Sequence, residues 1–227
     1  MIISLINHTN GKLTDEEVQN TIRVINRQIK EDYEPYWSLG ATLRLEGKAG
    51  AKPKQQEPSD MRGDAVLYLW DNVNVANALG YHERNNRGIP FGFVFTELSK
   101  SLGESWTVTL SHEALELIGD PEVNLLVAGP HPANPKQDVF HWYEMYDAVQ
   151  AESYEIDGVG VSNFVLPLYF TGSEGSEDET ISSVALTMAR RLNRLVLIRA
   201  ATSDFLTLKQ ETTKPFHAKA TRKPKDA

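Results

Sequence analysis

Six consecutive residues, Ala65 to Trp70 (AVLYLW), include no charged side chain. An apolar run of that length is short for a helix and suits a central strand, so the chain must build a sheet around it. Further strands read from Ile2 to Ile6, ahead of an Asn10-Gly11 turn, and from Ala41 to Leu45, where polar and apolar residues alternate. A fourth, Phe91 to Phe95 (FGFVF), is entered through Gly88 and Pro90. A proline there places it at a sheet edge, because proline has no N–H to give to a ladder.

Helical signals alternate with these strands. Thr14 and Glu17 have the spacing of a capping box, Leu13 and Val18 that of a hydrophobic staple, and Val18, Ile22, Ile25 and Ile29 repeat on one face. A second helix is predicted over Glu104 to Ile118, with Trp106, Leu110, Ala114 and Leu117 as its apolar stripe and Gly119 and Pro121 as stops. At roughly 100° per residue, His112 lies about 200° from Leu110 and points away from that stripe. Pro121 to His141, with four prolines, reads as a long ordered loop. Tyr154 to Phe170 reads as a strand, a Gly-containing turn and another apolar stretch, and Ile181 to Leu195 as a last helix. The expected class is α+β, a mixed twisted sheet with helices.

At 227 residues the chain suits one domain, here 1–208. Residues 209–227 carry six basic residues against Glu211 and Asp226, a surplus of +4, and are expected to be a flexible tail. With a net charge of −8, about −12 falls on the preceding residues, which argues against a nucleic-acid partner. There are no cysteines, so thiol chemistry, disulfides and Cys-based metal sites are excluded. No signal peptide or membrane-length apolar run is seen, and a cytoplasmic or virion-associated protein is expected.

The segment that carries chemistry is Ser111 to Pro121, SHEALELIGDP. His112 and Glu116 stand one helical turn apart, so both side chains can converge on one cation, and Glu113 between them can reach a metal-bound water. That is the logic of HExxH sites, in which two residues at i and i+4 hold zinc and the intervening Glu takes the water's proton. Glu116 replaces the second His; zinc also accepts carboxylate oxygen. Gly119 follows at the spacing of the HExxHxxG form. A third ligand is expected from Glu144, Asp120 or Glu122, in that order. His82, His131, His141 and His217 read as loop or surface residues, with His141 close in sequence to Glu144. Tyr143 or Tyr154 is a candidate for polarising a carbonyl.

On these residues the chain resembles the zincin metalloproteases. It is most similar to bacterial and phage zincin-like proteins with an SHExxE…DP helix, an acidic E-x-x-D segment and a YEIDG…VSNFVLP-like region. The matching residues are Ser111, His112, Glu113, Glu116, Asp120 and Pro121, then Glu144 and Asp147, then Tyr154 to Pro167; the resemblance spans about residues 1–170. It implies a zincin-like fold, Zn2+ as cofactor, His112, Glu116 and Glu144 as ligands and Glu113 as general base of a metallohydrolase, in particular a peptidase. It also implies an edge strand above the metal-site helix along which an extended peptide or protein substrate pairs, here Phe91 to Phe95. The alternative expectation is a metal-binding or structural assembly module that keeps the scaffold without turnover.

Overall fold

The computed structural model describes residues 1–46, 63–72, 78–131 and 134–167. These divide between two compact units, one of Met1–Leu125 with Ser153–Asn163 and one that begins with Leu126–Glu152 and resumes at Phe164. The last helix and the basic tail expected from the sequence lie outside the described residues.

The first unit is built on a five-stranded sheet. Its strands are β1 (Ile2–His8), β2 (Thr42–Glu46), β3 (Ala65–Trp70), β4 (Gly80–Arg84) and β5 (Pro90–Phe95), in the order β2-β1-β3-β5-β4. β1, β2, β3 and β5 run parallel, and β4 is antiparallel to β5. The class is therefore mixed α and β, and the apolar β3 sits at the centre of the sheet.

One expectation is overturned here. Phe91 to Phe95 is an interior strand, flanked by β3 and β4, and the edge beside it is β4. The proline is tolerated because the ladder with β3 starts at Phe91, so Pro90 is the first residue of its strand and lies opposite Arg84 alone. Substrate pairing along Phe91 to Phe95 is thereby excluded, since both edges of that strand are taken.

Alternation along the strands gives the sheet two unlike faces. Tyr68, Tyr81, Phe91 and Phe93 share one, with the rings of Tyr68 and Phe93 stacked at 5.0 Å and those of Tyr81 and Phe93 tilted to each other at 5.4 Å. Leu5, Leu67, Leu69 and Val94, all fully buried, share the other. Among the described residues of this unit, α1 (Asp15–Gln28) and α2 (Glu34–Trp37) lie between β1 and β2, and α3 (Thr96–Ser101) and α4 (Trp106–Gly119) follow β5. The capping box at Thr14 and Glu17 is formed, and Val18, Ile22, Ile25 and Ile29 are buried as their spacing predicts. A π turn, Ile29–Tyr33, joins α1 to α2.

The unit is completed by a hairpin from far along the chain, β8 (Ser153–Ile156) and β9 (Val159–Ser162). Asp157 and Gly158 both have positive φ, 51° and 79°, as a two-residue type I′ turn requires.

In the second unit, β6 (Leu126–His131) and β7 (Asn134–Trp142) pair antiparallel. This corrects the reading of Pro121 to His141 as an irregular loop. A two-stranded ladder has only edges, so it admits prolines that an interior strand rejects, and its register shifts at Pro130/His131.

A buried histidine and carboxylate cluster on helix α4

Helix α4 starts where Ser105 accepts the backbone N–H of Thr107 on its hydroxyl. It ends at Asp120, whose carboxylate accepts N–H from Asn124 at 3.2 Å and from Leu125 at 2.8 Å. Every residue from Thr109 to Gly119 is buried, so the helix has no solvent face opposite the expected stripe. The cause is its position: β4 and β5 pack against it, and so does β9. Ser111 fastens the latter contact, its hydroxyl accepting the N–H of Ser162 at 2.6 Å. Thr107 adds a second tie by donating to the carbonyl of Gly160 at 2.7 Å.

The charged positions of the helix are buried with the rest: His112 is 7% exposed, Glu113 2% and Glu116 3%. Within the turn, Nε2 of His112 lies 3.1 Å from Oε1 of Glu116. The sequence reading missed His82, on β4, whose side chain is 5% exposed. Its Nδ1 lies 3.4 Å from Oε2 of Glu113 and 3.5 Å from Oε2 of Glu116. Gly80 and His82, two residues apart, face α4 together. A Cβ at Gly80 would stand 2.6 Å from Oε1 of Glu113 and 2.8 Å from the carbonyl of Phe93, so glycine is what lets the carboxylate lie against the strand.

His82, Glu113 and Glu116 thus form a buried group able to hold a metal ion, with one donor atom from each within 4.8 Å of the others. Two carboxylates removed from water are costly unless protons or a cation balance them. Oε2 of Glu113 and Oε1 of Glu116 are buried and accept no hydrogen bond among the described residues. Nitrogen and carboxylate donors of this kind suit divalent first-row ions.

The other candidates are placed differently. Asp120 is spent on the turn after α4, as above. Glu122 is exposed, paired with Arg84 at 3.0 Å and accepting from Asn124 at 3.1 Å. Glu144 and Asp147 belong to the second unit, Glu144 after the end of β7 and Asp147 at the start of a short 3-10 turn. His131 lies on β6 and His141 on β7, in the same unit as Tyr143. Tyr154 donates its hydroxyl to Asp32 at 3.0 Å and accepts from Gln28 at 3.1 Å, in a buried structural network. His217 lies outside the described residues. A signal for His82 existed in the sequence: YHER precedes Asn85 to Gly88, and the hairpin this turn closes pairs His82 with Gly92.

Neither a family model nor a curated protein matches this chain. No helix among the described residues is long and apolar enough to cross a membrane.

Proposed function

We propose that the protein is a zincin-like metallohydrolase, a peptidase whose metal site is carried by α4. The observation that carries this reading is a single helical turn that buries His112, Glu113 and Glu116 beside the sheet's antiparallel edge strand. His112 Nε2 and Glu116 Oε1, 3.1 Å apart, are the two donors that would hold zinc. Bound there, zinc would acidify a water molecule and polarise a carbonyl oxygen. Glu113 is the general base: it takes a proton from the attacking water and returns it to the departing amine, the role of the Glu that follows the first His in HExxH metallopeptidases. β4, paired on one side only among the described residues, offers the N–H and C=O groups that an extended peptide would bind. This moves the substrate strand from Phe91–Phe95 to its neighbour. Localisation as a cytoplasmic or virion-associated protein is part of the same proposal.

The test uses the full chain, stripped with chelator and reloaded with one equivalent of Zn2+, against a mixed peptide library. Cleavage by the unaltered chain is expected. Glu113→Gln should abolish it while zinc stays bound, and His112→Ala should lose both. A Glu113→Gln variant that cleaves as fast as the unaltered chain overturns the assignment. Stable uptake of zinc with no cleavage of any peptide supports the non-catalytic module instead.

A further inference from the structure

Glu116 turns one oxygen towards each of two imidazoles. Oε1 faces His112 on its own helix, and Oε2 faces His82 on β4, whose Nδ1 also faces Glu113. We propose that His82, Glu113 and Glu116 form a second divalent-cation subsite, adjacent to the one at His112 and sharing Glu116 with it. The proposal rests on the reading of His112 and Glu116 as a metal site.

Three observations carry it. The first is distance. Nδ1 of His82 stands 3.4 Å and 3.5 Å from the two carboxylate oxygens, longer than well-formed N–H···O bonds. An ion with bonds of about 2.1 Å in tetrahedral geometry separates its ligands by about 3.4 Å, the spacing of these atoms. The second is the environment of Glu113, which is buried with Oε2 accepting no hydrogen bond among the described residues. A divalent ion beside Glu113 and Glu116 offsets buried negative charge that protein donors leave unmet at Glu113. The third is how the strand is cut to fit. Gly80 leaves room for the carboxylate of Glu113, and Gly92, opposite His82, has no side chain to crowd it.

Sharing Glu116 makes the two ions unequal, since like charges close together repel and one carboxylate serves both. A filled second subsite also makes Glu113 a ligand, so the singly loaded form is the one in which Glu113 is available as base.

The full chain, stripped with chelator, is titrated with Zn2+ alone by equilibrium dialysis and elemental analysis, with folding followed by circular dichroism. Two ions per chain are expected, the second bound about tenfold or more weakly because of the charge it shares. His82→Ala, His82→Gln and Glu113→Gln should each lose the weaker ion and keep the tighter one, and His112→Ala should lose the tighter. A folded His82→Gln chain with unchanged stoichiometry and affinity overturns the proposal. A single ion lost in His112→Ala and kept in His82→Ala overturns the second subsite and leaves the proposed function standing. A single ion with the reverse pattern supports the His82 subsite and overturns the reading of His112, and no uptake at all overturns both. Cobalt binding to the unaltered chain gives a reading that needs no variant: visible d–d bands should develop in two steps, and one step overturns the proposal.

Discussion

At the residue scale, Gly80 and Glu116 carry opposite kinds of risk. A methyl group at Gly80 would meet Glu113, Phe93 and Thr109 at 2.6, 2.8 and 2.9 Å, and two of these cannot yield without moving backbone or helix. Gly80→Ala is expected to cost about 1–3 kcal/mol in urea unfolding, the usual range for overpacking, and to weaken zinc binding by displacing Glu113. Gly88→Ala is the control: its φ is +77° and nothing lies within 4 Å, so only backbone strain of about 1 kcal/mol and no change in zinc binding should follow. Glu116→Gln separates charge from shape. In chelator-treated protein it should raise the melting temperature, because it removes a buried negative charge that no cation then balances. Zinc should raise the melting temperature of the unaltered chain and not of this variant. A lower melting temperature for Glu116→Gln under both conditions would show that the carboxylate is held by protein donors instead.

At the scale of elements, α1 is specified locally and α4 is not. Thr14 accepts N–H from Glu17 while Glu17 accepts from the backbone N–H of Thr14 at 2.7 Å, so the first turn of α1 closes with no help from the sheet. Those bonds from Thr14, backbone first and hydroxyl second, hold the Glu17 carboxyl below its usual value. A lowered carboxyl favours the folded state above its unfolded pKa and loses that contribution as pH falls through the folded one. Thr14→Ala should therefore cost about 1 kcal/mol near neutral pH and progressively less below the ordinary carboxylate range, measured as urea midpoints across pH. A cost that does not shrink in acid would show that the hydroxyl's bond to the Glu17 carboxylate adds nothing, since the backbone N–H bond to it remains in the variant. In α4, by contrast, the periodicity of Trp106, Leu110, Ala114 and Leu117 named one buried stripe, and tertiary packing left Trp106 partly exposed while burying every residue from Thr109 to Gly119.

At the scale of the whole molecule, a hairpin more than a hundred residues from α1 completes the first unit. Gln28 donates to the carbonyl of Ser162 at 2.7 Å and to the hydroxyl of Tyr154 at 3.1 Å, and Tyr154 donates to Asp32 at 3.0 Å. Tyr154→Phe takes a donor from a buried carboxylate and should cost about 1–3 kcal/mol. The same loss in Gln28→Ala, with less than additive loss in the double variant, would mark one network; strict additivity would show that the two act separately. Deletion of residues 209–227 removes a surplus of +4 and should remove whatever salt-sensitive binding to anionic surfaces the chain shows, with the melting temperature nearly unchanged; a large loss of stability would overturn the expectation of a solvated tail.

Much of this was legible from the sequence because it is written locally. An apolar hexapeptide makes β3, an S/T-x-x-E pattern starts α1, and i, i+4 spacing puts His112 beside Glu116, since each depends only on residues within a turn or a strand of one another. The order of the strands was not written that way. Alternation tells that a segment is a strand and nothing of which neighbours it pairs with, so the proline before Phe91 suggested an edge, where pairing with β3 on one side and with its hairpin partner Gly80–Arg84 on the other made the strand interior. The same non-local step brought His82 to Glu113 and Glu116, a meeting across some thirty residues that no helical or strand period encodes. The sequence by itself determined β3, the start of α1 and the helical turn that sets His112 beside Glu116; only the tertiary structure decided which strand would lie over that helix and add its histidine, because strand pairing is settled by the packing of the whole sheet.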